Sequence, residues 1–337
     1  MLDSRERLRR AIRREDVDRP PVAAWRHFPD HDGDPQRLID ATMEFQGAYG
    51  CDLVKLMPSG MYSVIDYGVE TAAEKHPQIG HEVMESTPIG SPRDWQYLPA
   101  VSATEGALAA ELRVASEVRR RVGADIPVLD TLFSPLTMAA KIAGAEQHNA
   151  LLDSPEADLV FSRLAEDILM YARASLSRGV DGFFYATQHA TTSPPELAER
   201  YNMFGRPYDQ RILEELRGAS EFLMLHLHGP NPMTDLAQVF PVDIVNWEDR
   251  EGGPALQDVL AADCAPAVCG GIDRTRALRA ASPQEAEEDV QRLLTHLPPT
   301  GVVLAPGCVL YQDTRWENLA ASLNAVRSVS AGGARSE

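Results

Sequence analysis

Short apolar segments with the composition of β-strands alternate with helical patterns along most of the chain. The predicted strands are 20–28, 51–58, 126–133, 181–189, 222–229, 243–249, 266–273 and 301–310. The predicted helices include 35–49, 104–122, 155–178, 194–217, 254–262, 282–296 and 314–328. Eight strands, each followed by helical sequence, are the count expected for a closed (β/α)8 barrel. An open doubly wound sheet stays possible, although no glycine-rich nucleotide loop follows the first strand.

We therefore predict an α/β fold, a (β/α)8 TIM barrel that forms one domain over residues 1–330. The charged, amphipathic N-terminus predicts a helix ahead of the first strand. The long insert 59–103, which contains many prolines and histidines, predicts loops over the barrel mouth. We predict that residues 331–337 form a disordered tail.

The net charge of −18 restricts the classes of partner. It argues against nucleic acid and anionic membranes, since both repel an acidic surface. Apolar stretches of about eight to ten residues are too short to span a bilayer, and the N-terminus has no apolar secretory region. Four scattered cysteines suit a reducing compartment. These features predict a cytoplasmic protein that acts on a small molecule.

Polar residues stand at the predicted strand ends, where a (β/α)8 barrel carries its catalytic groups. They are Arg26, His27, Lys55, Asp130, Gln188, His189, His226, His228, Asn246, Glu248, Asp273 and Cys308. Leaving a buried polar group unpaired costs about 1–3 kcal/mol, so a purely structural role for all of them is disfavoured. The pattern predicts an active site at the barrel mouth.

The group in this set that points most specifically to one kind of site is His226, His228 and Cys308. The two histidines in "LHLHG" lie at positions i and i+2 of a strand and therefore point to one face. Cys308 ends the last strand and could meet them across the mouth. Two imidazoles, a thiolate and an open fourth position are typical of catalytic zinc. The alternative is a hydrogen-bonded pair of core histidines beside a small buried cysteine.

Several segments resemble the uroporphyrinogen decarboxylase superfamily in the same order along the chain. They are "RERLRRAIRREDVDRPPVAAW", "YGCDLVKLMPSG", "IPVLDTLFSPLTMAAKIAG", "FLMLHLHGPNPMTDLAQVFPVDIVNWEDR", "PAVCGGIDR" and "GVVLAPGCVLYQDTRWENLAASLNAVR". The resemblance implies a (β/α)8 barrel, in agreement with the strand count.

The site residues depart from the decarboxylases of that superfamily. Those enzymes carry two arginines in the first strand, where this chain keeps only Arg26 in "WRHFPDHDG". They also carry an aspartate after the second strand, where this chain has Met57 and Pro58. The methyltransferases of the superfamily bind zinc through a His-x-Cys pair and a cysteine in an Ala-Pro-Gly-Cys context. The resemblance to these implies a site at His226 and Cys308, with His228 in place of the first cysteine.

The resemblance implies a zinc-dependent methyltransferase that transfers a methyl group from a corrinoid, or another activated donor, to a small thiol. His226, His228 and Cys308 would hold one zinc ion, with Glu248 as a further ligand or as acceptor of a histidine N–H. Arg26 and Lys55 would hold the anionic end of the acceptor, and His189 would line the pocket. The chain has no Asp-x-His-x-x-Gly cobalamin sequence, so a corrinoid would come on a separate protein.

Three alternatives stay open at this point. One is decarboxylation of a tetrapyrrole or a smaller acid, and another is a metal-dependent lyase or hydrolase on the same barrel. The third is a protein that binds such a ligand without turnover. The family resemblance also implies a homodimer.

Overall fold

The computed structural model describes residues 1–262 and 266–329. Cys264 and the predicted tail 331–337 lie outside the described residues. The strands are β1 (Val54–Lys55), β2 (Glu70–Lys75), β3 (Glu82–Ser86), β4 (Val128–Phe133), β5 (Gly182–Thr187), β6 (Phe222–Leu227), β7 (Ile244–Trp247), β8 (Ala267–Ile272) and β9 (Val302–Pro306).

The helices cover the outside of the sheet and its two ends. They are α1 (Ser4–Ile12), α2 (Pro35–Tyr49), α3 (Tyr62–Ile65), α4 (Gly106–Val122), α5 (Pro135–Leu152), α6 (Ala157–Ser177), α7 (Pro195–Phe204), α8 (Arg206–Arg217), α9 (Leu236–Val239), α10 (Leu256–Leu260), α11 (Pro283–Leu294) and α12 (Trp316–Arg327). Two 3-10 helices span Pro92–Tyr97 and Ala277–Arg279. No helix in the described part of the chain is long and apolar enough to cross a membrane.

Seven parallel strands form the main sheet in the order β1-β4-β5-β6-β7-β8-β9. The segment that was predicted as the first strand, 20–28, connects the two edges of this sheet. Val22 bridges Leu304 of β9, and its carbonyl accepts a hydrogen bond of 2.7 Å from the N–H of Asp52, just before β1. Pro20 and Pro21 have no N–H to donate, so the segment forms a bridge and not a regular strand. The sheet thereby closes into the predicted barrel.

The barrel interior is filled by alternate side chains of the strands, as the two-residue period requires. Leu129, Phe184, Met224 and Val303 belong to this inner apolar cluster. Leu8 of α1 is fully buried in the same cluster, so the predicted N-terminal helix covers one end of the barrel. The larger apolar cluster lies between the strands and the surrounding helices.

Most predicted helices begin and end within a few residues of the observed ones. Asp34 and Ser282 accept hydrogen bonds from the first-turn N–H groups of α2 and α11, which explains why these helices start there. The predicted helix 194–217 is two helices, α7 and α8, that meet at Gly205. Helix α5 was not predicted; Gly144 has φ 73° and ψ 171°, which kinks the helix and interrupts its pattern.

The insert 59–103, which was predicted to form loops over the barrel mouth, also contains regular structure. Strands β2 and β3 pair antiparallel as a hairpin, and helix α3 and a 3-10 helix flank it. Gly60, Ile79 and His81 of this insert line a small cavity at the barrel mouth, which agrees with its predicted position. The hairpin strands are half-exposed and mostly polar, so they lack the apolar alternation that identifies a strand.

Candidate metal centre

His226, His228 and Cys308 meet at the carboxyl ends of β6 and β9. The Cys308 Sγ atom lies 3.7 Å from Nε2 of His226 and 3.6 Å from Nδ1 of His228. One ligand atom from each residue lies within 4.8 Å of the other two. The structure therefore brings together the three side chains that the sequence grouped.

The spacing of these atoms fits a tetrahedral zinc site. Bond lengths of about 2.3 Å to sulfur and 2.0–2.1 Å to nitrogen, at a tetrahedral angle, separate S and N by about 3.6 Å. The two observed S···N distances of 3.7 and 3.6 Å match this value. Burial lowers the pKa of both histidines, which favours the neutral imidazoles that bind metal.

Asn246 holds His226 in the orientation that a ligand needs. The two residues are register partners in the parallel pair β6–β7. The Asn246 side-chain N–H donates to the carbonyl of Cys269 at 2.8 Å, which leaves its Oδ1 to accept from Nδ1 of His226 at 2.6 Å. The ring proton is thus fixed on Nδ1, and the lone pair of Nε2 faces Cys308. Sequence analysis noted Asn246 at a strand end but did not assign it this contact.

Glu248 lies at the edge of the group rather than inside it. Its Oε1 is 3.5 Å from Nδ1 of His228 and 3.2 Å from Nη2 of Arg274. Glu248 is not part of the group whose ligand atoms all lie within 4.8 Å of one another. Arg274 also contacts Glu251 and donates to the carbonyl of Val309 at 2.6 Å, so it connects Glu248 to the loop after β9. This position suits a carboxylate that orients or supports His228.

Gly307 allows Cys308 to approach the end of β7. A Cβ atom at position 307 would overlap the carbonyl oxygen of Trp247 and lie 2.9 Å from Cα of Glu248. Only glycine leaves room for this close approach of two backbones. The glycine in "APGC" therefore allows the cysteine to lie close to the two histidines.

A cavity of about 120 Å³ opens beside the three candidate ligands. Its walls include Trp25, His27, Lys55, His81, Lys141 and Phe184. The ammonium of Lys55 lies 2.6 Å from Sδ of Met57 and 4.3 Å from the centre of the Phe184 ring. Burial lowers the pKa of Lys55 to about 7, against the opposing effect of Cys308. Lys55 therefore occupies the predicted place in the mouth.

Arg26, which was predicted to hold the anionic end of the acceptor, does not line this cavity. Its neighbours Trp25 and His27 line the cavity instead. Arg26 lies over the ring of Trp316 at 4.7 Å and donates to Oε1 of Gln312 at 2.9 Å, in a separate groove. Segment 20–28 is irregular, so sequence alone could not decide which of its side chains points inward.

His189 and Asp130 also lie elsewhere than sequence analysis placed them. His189 lines a neighbouring cavity of about 520 Å³, which shares Gln188 and His228 with the first. Its ring is 5.2 Å from that of His148 on α5. Asp130 points out of the barrel and accepts hydrogen bonds from Ser175 and Tyr171 of α6. Alternation along β4 explains this, because Leu129 and Thr131 face inward.

Comparison with known proteins identifies the family of this fold and site. The model of the family described as "Uroporphyrinogen decarboxylase (URO-D)" matches residues 3–329. The methylcobamide:CoM methyltransferase MtbA of Methanosarcina acetivorans is 20% identical over 337 residues, covering 94% of this chain and 95% of that protein. MtbA of Methanosarcina mazei is 22% identical over 342 residues, again covering 94% and 95%.

A solved structure supports the barrel assignment. It is described as a methyltransferase from Methanosarcina mazei, and it superposes with a TM-score of 0.79 at 18% sequence identity. The superposition covers 97% of this chain and 99% of that chain. Because the family model spans almost the entire sequence, the chain belongs to the uroporphyrinogen decarboxylase (URO-D) family.

Proposed function

We propose that this protein is a zinc-dependent methyltransferase that moves a methyl group from a corrinoid, or another activated donor, to a small thiol. The observation that carries the proposal is the convergence of His226, His228 and Cys308 at zinc-ligand spacing beside a cavity. The similarity to two methylcobamide:CoM methyltransferases supports the type of reaction.

The three side chains would hold the ion and leave one position for substrate. Zinc bound there would lower the pKa of a substrate thiol, so that its thiolate forms at neutral pH. Two imidazoles and one thiolate give the site less negative charge than a His-Cys-Cys set would have. Asn246 keeps Nε2 of His226 directed at the site, and Glu248 with Arg274 supports His228.

The exposure of the three candidate ligands indicates the side from which a donor approaches. The His228 side chain is 39% exposed, whereas His226 and Cys308 are 4% and 6% exposed. A methyl donor carried on a separate corrinoid protein would therefore reach the site past His228. His189 lies on this side, in the neighbouring cavity that shares His228, and would contact the donor rather than the acceptor.

The cavity disfavours the decarboxylase alternative. A volume of about 120 Å³ lies well below the roughly 300–1,000 Å³ of sites for drug-sized ligands, and a tetrapyrrole is larger still. No arginine in the described part of the chain lines this cavity, although a porphyrinogen carries eight carboxylates to be paired. A small acceptor fits the space better.

The direct test is methyl transfer from free methylcobalamin to small thiols by the zinc-loaded protein. We expect thiol-dependent loss of the methylcobalamin spectrum and formation of the S-methyl product. The rate should fall by at least about 100-fold in Cys308→Ala, since the ion would lose a ligand. Cys269→Ala is the matched control, because Cys269 is buried in β8 and lies outside the ligand group. Methyl transfer at equal rates in Cys308→Ala and Cys269→Ala would contradict the proposal.

A further inference from the structure

The groove that contains Arg26 is separate from both cavities at the barrel mouth and shares no lining residue with them. It lies between segment 26–31, helix α2 and the start of α12. Its volume of about 380 Å³ falls within the range of small-molecule sites, roughly 300–1,000 Å³. Among the described residues, Arg26 is the only lysine or arginine that lines it. We call this space the Arg26 groove.

Four aromatic side chains line the Arg26 groove, namely Phe28, Phe45, Tyr49 and Trp316. The ring centre of Phe45 lies 4.7 Å from that of Tyr49 and 6.3 Å from that of Trp316. All four are half-buried, and Trp316 is the one tryptophan of the four in the chain that the fold does not bury. Their rings together form a partly exposed apolar wall that a flat ligand could cover.

Arg26 differs from the other arginines that lie over aromatic rings in the described part of the chain. Each of the other three forms an ion pair with a carboxylate. The pairs are Arg163 with Asp167, Arg274 with Glu251, and Arg279 with Asp313. Arg26 forms no ion pair with a described residue, although its side chain is half-buried. A cation that is partly removed from water is expected to have an anionic partner, and here a ligand could supply it.

The guanidinium of Arg26 is held in place and keeps free donors. Its Nε donates to the carbonyl of His27 at 3.0 Å, and its Nη2 donates to Oε1 of Gln312 at 2.9 Å. These bonds fix the group over the Trp316 ring, 4.7 Å from its centre. No acceptor among the described residues contacts Nη1. A fixed guanidinium with free N–H groups is preorganised to bind a carboxylate.

Two carboxylates also line the Arg26 groove and restrict the charge of its ligand. Asp30 and Glu44 are both exposed, and neither forms an ion pair with Arg26. Their negative charges would repel a ligand with several anionic groups. The groove therefore suits a ligand with one negative charge, directed at Arg26, and a flat apolar body.

We propose that the Arg26 groove is a second ligand-binding site, which takes a small planar aromatic carboxylate. The aromatic ring of the ligand lies against the half-buried rings of Phe45, Tyr49 and Trp316, and its carboxylate accepts hydrogen bonds from Nη1 of Arg26. This site goes beyond the proposed function, because it includes none of the three candidate metal ligands and none of the residues around the methyl-transfer cavity.

The first test separates the ring from the charge by ligand-observed NMR titration of the whole protein. The probes are benzoate, the neutral benzamide, and cyclohexanecarboxylate, which has the anion without a flat ring. We expect benzoate to bind with a Kd of about 1 mM, as suits a ligand of this size. Benzamide should bind at least about tenfold more weakly, and cyclohexanecarboxylate at least about threefold more weakly. Equal affinity for benzoate and benzamide, or no saturable binding of benzoate below about 10 mM, would overturn the proposal.

The second test locates the bound benzoate with variants. Arg26→Gln should weaken benzoate at least about tenfold, and should leave benzamide within about twofold of wild type, which shows that the groove is intact. Trp316→Leu should weaken both probes alike, by about three- to tenfold. Arg279→Gln is the matched control, since Arg279 also lies over an aromatic ring but is paired with Asp313; it should bind benzoate as wild type does. Equal binding of benzoate by wild type and Arg26→Gln would overturn the assignment.

A last variant distinguishes this site from the candidate metal centre, where a carboxylate could also bind. Cys308→Ala should bind benzoate within about twofold of wild type, because Cys308 does not line the Arg26 groove. This result would support the second site whether or not the protein transfers methyl groups. Loss of benzoate binding in Cys308→Ala, with binding retained in Arg26→Gln, would place the ligand at the metal centre and contradict the proposal.

Discussion

Replacement of Asn246 by leucine tests whether the ring of His226 is held for metal binding. Leucine has the same branching as asparagine but can neither accept from Nδ1 of His226 nor donate to the carbonyl of Cys269. The imidazole would lose the contact that fixes its proton on Nδ1. The fraction of protein with Nε2 ready to bind zinc would fall, and the ring could rotate away from Cys308.

The expected loss of zinc affinity is about 10- to 100-fold, as for other residues that orient a metal ligand. This corresponds to about 1.4–2.8 kcal/mol of binding free energy. The metal-free protein should also lose stability, because each buried group left unpaired costs about 1–3 kcal/mol. Competition with a chromophoric zinc chelator measures the affinity, and urea unfolding of the metal-free protein measures the stability.

Asn318→Leu provides a matched control for this experiment. Asn318 is fully buried in α12, and its amide donates to the carbonyls of Ala277 and Ala280; none of these residues belongs to the ligand group or lines the cavity. The control should show a comparable loss of stability with zinc affinity within about twofold of wild type. If Asn246→Leu bound zinc as tightly as the wild-type protein, the role assigned to Asn246 would be refuted.

Three further predictions concern the backbone, a buried carboxyl and a misplaced arginine. Gly307→Ala should lower zinc affinity by at least about tenfold in the same chelator assay, because the new methyl group overlaps the carbonyl of Trp247 and must displace Cys308; an affinity equal to wild type would contradict this. Burial raises the pKa of Asp209 to about 7, so the folded state holds this proton more tightly than the unfolded state does. The stability that this proton contributes is lost as the pH rises from about 4 to about 7. Asp209→Asn should therefore lose about 2 kcal/mol less stability than wild type between pH 5 and pH 7, measured by urea unfolding at both values; parallel losses would argue against the shift. Arg26→Gln should change KM for every thiol by less than about twofold, since its side chain lies outside the cavity, and a tenfold rise would show that it contacts the acceptor.

The barrel and the convergence of the ligand group follow from periodicity that sequence analysis can detect. His226 and His228 share a face because side chains in a strand repeat every two residues. Cys308 meets them because all parallel strands of a barrel end at one mouth. These two rules are independent of any particular side-chain contact, and the structure confirms the fold that they predict.

The site features that sequence analysis missed depend on the register between neighbouring strands and on irregular segments of the chain. Asn246 contacts His226 only because β6 and β7 pair at that register, and α9 and the loops around it separate the two residues in sequence. Arg26 points outward because Pro20 and Pro21 leave segment 20–28 without the regular alternation of a strand. Lys141 lies on a helix that the kink at Gly144 concealed. None of these features can be predicted from apolar periodicity alone.

The most direct measurement for the proposed function is metal content by mass spectrometry, on protein purified without a histidine tag. We predict about one zinc per chain in the wild-type protein, the number of ions that one three-residue group can hold. Zinc should be lost from both His228→Ala and Cys308→Ala while circular dichroism shows an unchanged fold. Wild-type protein without stoichiometric metal after incubation with zinc, or full zinc content in both variants, would contradict the assignment of His226, His228 and Cys308 as a metal centre.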